Sequence, residues 1–200
     1  GQHTWKAIGK LVDALDSAFY KSFDNVEPTG KRYVLALDVS GSMGMGMIGG
    51  VPGLTPRDAS AAMALVTAKT ESDYRMVAFQ SDLTELSITP RQRLDDVVRR
   101  ISNLPLGSTD CAQPMLWALK NRIQADVFIV YTDSETWSGS VHPTQALQQY
   151  RDQMGIPAKL IVVGMVSNGF TIADPNDAGM LDIVGFDTAA PNLMATFSAS

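Results

Sequence analysis

The residues best suited to chemistry stand directly after the first apolar run, where Asp38, Ser40 and Ser42 are spaced two residues apart. One carboxylate and two hydroxyls offer three hard oxygen atoms to a single point. Hard oxygens are the ligands of Mg²⁺ or Mn²⁺ rather than of zinc or copper. The carboxyl end of a parallel strand is also where open α/β sheets bind ligands. The spacing is common in proteins, so the hypothesis of a metal site depends on what else the fold brings to this point.

Two later segments predict the missing ligands. Thr109 stands in a Gly-Ser-Thr-Asp loop ahead of a predicted helix, and Asp133 follows a second apolar strand at Thr132. The carboxyl ends of neighbouring parallel strands meet, so we expect Asp38, Asp133 and the hydroxyls to converge. Two carboxylates, three hydroxyls and waters would complete the octahedron that Mg²⁺ requires. Singly, each segment also fits a turn or a helix cap, and only their combination favours a metal site.

Strands and helices alternate along the chain, which predicts a three-layer α/β fold with a mostly parallel sheet and helices on both faces. Residues 83–87 are predicted as an antiparallel edge strand that forms a hairpin with its predecessor. A glycine-rich segment over 39–55 predicts a mobile loop. Strands are predicted at 31–38, 74–79, 83–87, 126–131, 158–163 and 183–187. Helices are predicted at 4–22, 55–69, 90–102, 112–121, 143–154 and from 191 onward.

Charge argues against tight binding of nucleic acid by this chain alone. The 200 residues carry 16 basic and 21 acidic side chains, a net charge of −5. The densest basic stretch, 91–100, includes Asp95 and Asp96 four residues before Arg99 and Arg100. This spacing predicts i,i+4 ion pairs on a solvated helix face rather than a phosphate-binding surface.

The single cysteine, Cys111, permits no internal disulfide and fits a reducing compartment. No apolar run reaches the roughly 18 residues of a membrane-spanning helix, and the first residues lack a signal-peptide pattern. We therefore expect a cytoplasmic protein that does not enter a membrane.

Catalysis is poorly supported by the sequence. Asp38 stands where phosphoaspartate enzymes hold their nucleophile, but Ser40 occupies the position where such enzymes usually carry a second carboxylate. His3 is near one terminus, and His142 precedes Pro143, which favours a role in starting a helix. No phosphate-binding P-loop and no Gly-x-Ser-x-Gly elbow is present.

Three further features near the predicted site have two readings each. Glu135 either tunes ligand access or is a solvated loop residue. Trp137 either faces a partner or covers a small core. The methionines at 43, 45 and 47 either form an adaptable contact surface or lie in a flexible loop with one or two of them tucked inward.

The three polar segments together resemble the metal-ion-dependent adhesion site of von Willebrand factor A domains over residues 31–200. That family has a Rossmann-like sheet with one short antiparallel edge strand. The resemblance implies a coordination position left for a carboxylate or water from a partner. It also implies the following metal ligands: Asp38, Ser40, Ser42, Thr109 and Asp133.

Longer segments resemble the Ro ribonucleoprotein autoantigen family and its bacterial members. These segments are 14–20, 26–32, 109–111, 125–130, 141–143, 156–161 and 167–175. The resemblance implies a ring of helical repeats that binds Y RNA and the ends of misfolded RNA, closed by an A domain. Residues 1–30 would then be a helix and linker to that ring, and residues 31–200 the A domain. The segment 44–53 departs from the general A-domain pattern.

The expected function is metal-dependent binding of an acidic group on a partner, without catalysis, in a protein that takes part in quality control of non-coding RNA. The alternatives are a purely structural ring-closing domain with a vestigial metal site and a Mg²⁺-dependent phosphoaspartate enzyme. RNA binding by this chain alone is expected to be weak or absent.

Overall fold

The structure is a computed structural model that describes residues 17, 21, 24, 26–48, 53–133, 139–166, 172–185 and 189–200. The helix predicted over 4–22 lies almost wholly outside the described residues, as do Glu135 and Trp137. The division of the chain at residue 30 therefore stays a prediction.

Six strands of the described chain form one sheet in the order β3-β2-β1-β4-β5-β6. All pairings are parallel except that of β3, which joins β2 as an antiparallel edge hairpin. The strands are β1 Tyr33–Asp38, β2 Tyr74–Phe79, β3 Leu83–Leu86, β4 Val127–Thr132, β5 Lys159–Gly164 and β6 Met180–Val184. The predicted fold class, with its one antiparallel edge strand, is confirmed.

Helices cover both faces of the sheet, because the central strands are apolar on both sides. Alternate residues of β1 enter different cores: Leu35 and Leu37 face one cluster, and Val34 and Ala36 face the other. The helices are α1 Pro56–Thr70, α2 Leu94–Ser102, α3 Gln113–Lys120, α4 Pro143–Met154 and α5 Ala190–Ala199. Helices α1, α2 and α5 pack on the first cluster, and α3 and α4 pack on the second. None of the described helices is both long and apolar enough to cross a membrane.

Helix α1 begins where the sequence predicts it. The Thr55 hydroxyl accepts the Asp58 amide at 3.2 Å, and the Asp58 carboxylate accepts the Thr55 amide at 3.1 Å. This reciprocal capping box, with Pro56 as the first helical residue, satisfies amides that a helix start leaves without partners. Helix α1 therefore has a defined start directly after the loop that follows β1.

Two predicted elements differ from the structure by three or more residues at one end, and one predicted set of ion pairs differs as well. Helix α2 begins at Leu94 rather than at Pro90, because the Gln92 amide donates to the Thr89 carbonyl at 3.1 Å and closes a turn around Pro90. Strand β6 lies at 180–184 rather than 183–187, because Gly185 has a φ of 83° that ends the extended backbone. The i,i+4 ion pairs predicted on α2 are wrong: Arg99 pairs with Asp96, three residues before it.

The described part of the segment predicted as a mobile loop, residues 39–48 and 53–55, contains structure that the sequence did not predict. Residues Gly41–Gly44 form one turn of 3-10 helix. Met43, Ile48 and Leu54 are buried in the core, and the Ile48 amide donates to the Leu54 carbonyl at 3.0 Å. Buried apolar side chains thus hold the described part of a segment whose glycines predicted a mobile loop. Met45 and Met47 point outward, 69% and 58% exposed.

Candidate metal centre

Asp38 ends β1 and is held in place by two donors. Its Oδ1 accepts the Ser40 amide at 2.8 Å, and its Oδ2 accepts the Thr132 hydroxyl at 2.7 Å. Thr132 is the last residue of β4, which runs parallel to β1 at its side. The carboxylate is only 1% exposed. The pairing of β1 with β4 therefore fixes the position of the Asp38 carboxylate without any ligand.

The 3-10 turn after β1 carries the two serines to the neighbouring strand end. The Ser40 and Ser42 hydroxyls are 3.3 Å apart, and the Ser42 hydroxyl donates to Asp133 Oδ1 at 3.0 Å. A side-chain hydrogen bond also joins Ser40 to Asp38, so oxygen atoms of Asp38, Ser40, Ser42 and Asp133 form one cluster at the carboxyl end of the sheet. The predicted convergence of these four residues is observed.

Thr109 lies 9% exposed on the loop between α2 and α3. The next residue, Asp110, donates its amide to the Gln80 carbonyl at 3.1 Å, which ties this loop to the end of β2. The carboxylate of Asp110 accepts the Ala112 amide at 3.1 Å and the Gln113 side chain at 2.9 Å. Asp110 thus organises the start of α3, as its cap-like sequence suggested, and Thr109 is held next to it.

Burial raises the pKa of Asp38 above its ordinary range, and the negative charge of Asp133 acts in the same direction. Hydrogen bonds from Ser40 and Thr132 oppose this shift. Burial also raises the pKa of Asp133, against the hydrogen bond from Ser42. Both carboxylates therefore carry an unfavourable charge that a bound cation would relieve. A donor set of carboxylate and hydroxyl oxygens fits Mg²⁺ or Mn²⁺.

Cys111 lies behind this cluster, 1% exposed. Burial raises the pKa of its thiol, and the charges of Asp38, Asp110 and Asp133 raise it further. The thiol is therefore protonated at neutral pH and is neither a nucleophile nor a soft metal ligand. Across the described residues, no three His, Cys, Asp or Glu side chains group as metal ligands, so the cluster relies on hydroxyls.

Two glycines allow the loops to meet, a role that sequence reasoning did not predict. A Cβ on Gly139 would lie 2.7 Å from Asp110 Oδ1, and a Cβ on Gly107 would overlap the Gln80 side chain. These glycines permit close approach between the loops after β2, α2 and β4. Gly107 is the first residue of the Gly-Ser-Thr-Asp loop identified in the sequence, whereas nothing in the sequence around Gly139 indicated its role.

His142 has a structural role at the start of α4, as the sequence favoured. Its ring Nδ1 accepts the Thr144 amide at 3.2 Å, and Gln145 Oε1 accepts the His142 amide at 3.3 Å. Both interactions satisfy the first turn of α4. The imidazole therefore forms part of the helix cap.

A family model described as the Ro60 vWA domain matches residues 32–198. The chain belongs to the Ro60 von Willebrand factor A domain family. It is 51% identical over 198 residues to the RNA-binding protein RO60 of Deinococcus radiodurans and 48% identical to that of Caenorhabditis elegans. These matches cover 99% and 98% of this chain, but it spans only 37% and 30% of those relatives.

Solved structures agree with the family. A crystal structure of the RO (RSR) protein of Deinococcus radiodurans matches with a TM-score of 0.83 and 52% identity, over 95% of this chain and 38% of that one. Proximal thread matrix protein 1 from the mussel byssus, in a form with a zinc-occupied MIDAS motif, matches with a TM-score of 0.57 over 86% of this chain and 48% of that one. At 9% identity, the mussel protein shows a shared fold alone.

Proposed function

We propose that this chain binds a divalent cation, Mg²⁺ or Mn²⁺, and through it an acidic group of a partner. The observation that carries this proposal is the continuous oxygen cluster of Asp38, Ser40, Ser42 and Asp133. Those four residues and Thr109 would hold the ion. The bound ion would supply an open coordination position for a partner's carboxylate.

The chain's own residues prepare this site without metal. The Ser40 amide and the Thr132 hydroxyl fix both oxygens of Asp38. Ser42 links the turn to Asp133. The site is therefore preorganised, so little ordering is needed when a ligand arrives.

We propose no catalytic role. Asp38 is 1% exposed and both its oxygens accept hydrogen bonds, which is unsuitable for nucleophilic attack on a phosphoryl donor. The relatives are named as RNA-binding proteins. The phosphoaspartate alternative predicts a beryllofluoride adduct at Asp38, and we expect none to form.

In its parent protein, we propose that the domain serves Y RNA binding and quality control of non-coding RNA in the cytoplasm. The chain's net charge of −5 implies that RNA contacts lie mainly outside it. We expect weak or no binding of Y RNA by this chain in a filter-binding assay. Submicromolar affinity at physiological salt would contradict this assignment.

A structural, ring-closing role with a vestigial metal site is the second candidate. It is favoured by the contacts of the entering chain at the opposite end of the sheet. There Glu71 accepts three hydrogen bonds from Thr29 and Gly30, at 2.8–3.2 Å. Such contacts would hold a preceding segment firmly whether or not metal binds.

Metal titration separates the two candidates. Thermal unfolding is measured with increasing Mg²⁺ or Mn²⁺ for the wild type, for Asp38→Ala and for Asp96→Ala, an exposed carboxylate on α2. We expect the wild type and Asp96→Ala to be stabilised by metal and Asp38→Ala to lose the response. A wild type that does not respond to either ion would sink the binding proposal and favour the structural role.

A further inference from the structure

Arg57 lies beside the proposed metal centre with hydrogen-bonding capacity left unused. A Cβ built on Gly44 would meet its guanidinium group at 3.4–3.5 Å, so the group lies against the end of the 3-10 turn. Its Nε is buried and has no hydrogen-bond partner within the described chain. Arg57 as a whole is half-buried, so an incoming acceptor would meet the two outer nitrogens of its guanidinium rather than the buried Nε.

Exposed apolar side chains flank the same segments. Met45 and Met47 follow Ser42 on the chain and are 69% and 58% exposed. Leu106, three residues before Thr109, is 64% exposed. Methionine is flexible and polarizable, so it adapts to apolar partners of different shape. We call these three residues the apolar rim.

We propose that Arg57 is a second anion-binding group of this site, and that the partner is an acidic polypeptide segment carrying two acidic side chains beside an apolar one. The inference rests on the proposed function, because the first acidic group is the one bound at the metal centre. The planar guanidinium matches a carboxylate with two parallel hydrogen bonds. The apolar rim would contact the neighbouring apolar side chain.

The geometry fits one short segment. Ser42 and Gly44 belong to the same turn, with about 4 Å of axial rise between them, so Arg57 and the oxygen cluster are near neighbours. A nucleic acid is the less suitable occupant, because phosphate binding uses several cations and an apolar rim gives the backbone nothing to pair with. Charge and apolar exposure together favour a polypeptide.

The test uses capped nonapeptides that contain two glutamates at separations of one to four residues, flanked by leucine. Each has a matched peptide in which glutamine replaces one glutamate. Binding to the full chain is measured by fluorescence anisotropy with saturating Mn²⁺, and the ratio of the two affinities is compared between variants. At the best separation, we expect the second glutamate to tighten binding by about tenfold in the wild type.

Arg57→Gln should bring this ratio close to one, and Arg57→Lys should restore part of it. Arg99→Gln, which removes an exposed arginine on α2, is the matched control and should keep the full ratio. Because the ratio is measured within each variant, a loss of folded protein, followed by circular dichroism, does not mimic the effect. A tenfold ratio that persists in Arg57→Gln would overturn the assignment.

Two further results address the partner class. The double variant Met45→Ser, Met47→Ser should lose the preference for leucine-flanked over serine-flanked peptides. If an oligouridylate of equal charge displaces the peptide and does so through Arg57, the polypeptide assignment is wrong.

The dependence on metal separates this inference from the proposed function. Peptide binding that is unchanged when the metal is removed would contradict the proposed function. Metal-dependent binding of one-glutamate peptides without any gain from the second would leave that function standing and overturn only this inference.

Discussion

Carboxylates lie at both the carboxyl end and the amino end of the sheet, but their hydrogen-bonding and charged partners differ between the two ends. At the amino end, Glu71 accepts three hydrogen bonds from Thr29 and Gly30. Asp126 accepts the Arg32 amide, Nε and Nη2 at 2.8–3.0 Å. At the carboxyl end, Asp38 has one amide and one hydroxyl, and its charged neighbour is a second carboxylate.

The pKa directions follow this difference. The Arg32 hydrogen bond lowers the pKa of Asp126, whereas burial raises the pKa of Asp38 and of Asp133. Arg32 therefore stabilises negative charge at the amino end, whereas burial disfavours it at the carboxyl end. We interpret the first arrangement as structural and the second as a site prepared for a cation.

Removing Glu71 should have the largest effect on stability. Glu71→Ala leaves two amides and a hydroxyl in a site where the carboxylate is only 5% exposed. We expect a loss of about 3 kcal/mol in the free energy of unfolding, measured by urea titration, since each bond to a charged acceptor is worth about 1.5–3 kcal/mol. Glu85→Ala, which removes an exposed ion pair with Arg75, should cost less than about 1 kcal/mol. Equal losses would contradict the structural role that we assign to Glu71 at the amino end.

Metal should stabilise the carboxyl end by a similar but slightly smaller amount. At a Mg²⁺ or Mn²⁺ concentration of 100 times Kd, linkage gives about 2.7 kcal/mol, or roughly 5–10 °C in Tm for a chain of this size. Asp38→Asn keeps an oxygen acceptor for the Ser40 amide and offers its own amide group as a donor to the Thr132 hydroxyl oxygen, but removes the charge. It should abolish the metal response and raise Tm in EDTA. A lower Tm of Asp38→Asn in EDTA would show that the Asp38 charge is already compensated.

Gly139→Ala tests how tightly the loops of the carboxyl end are packed. The new methyl group would displace the Asp110 carboxylate and with it the loop that carries Thr109. We expect about 1–2 kcal/mol of destabilisation together with weaker metal binding in a thermal titration. Gly41→Ala is the control, because a Cβ there meets nothing within 4 Å and should change stability by less than about 1 kcal/mol. Unchanged metal affinity in Gly139→Ala would show that the position of the Asp110 carboxylate does not affect the metal centre.

The pH dependence should have opposite signs at the two ends and should be the smallest of these effects. Asp126 has a folded pKa below its ordinary value of 3.8, so its contribution is present above that value and lost as pH falls through the folded pKa. Asp38 has a raised folded pKa, so in EDTA its contribution is present below 3.8 and lost as pH rises through the folded pKa. Tm between pH 3 and 8 is compared for Asp126→Asn, Asp38→Asn and the wild type. If both variants change the pH dependence of Tm in the same direction relative to the wild type, the proposed contrast between the two ends of the sheet is wrong.

Local chemistry accounts for the elements that sequence reasoning predicted well. The residues of β2 and α4 have the predicted bounds, because an apolar run and a proline-started helix need only their own neighbours. The errors at Pro90 and Gly185 come from local signals that fit two structures, since a proline begins turns as well as helices. Burial of Met43, Ile48 and Leu54 was not predictable locally, because the cluster that they join is built from distant elements.

The sequence by itself determined the alternation of strands and helices, the oxygen ligands after β1, and the family to which the chain belongs. Only the tertiary structure decided that Thr132 donates to Asp38, that Ser42 reaches Asp133 across 91 residues, and that Glu71 secures Thr29 across 42. It also decided which carboxylates carry a compensated charge. The physical reason is that residue type and spacing set what a side chain can do, whereas burial and partners from distant segments set its charge and its contacts.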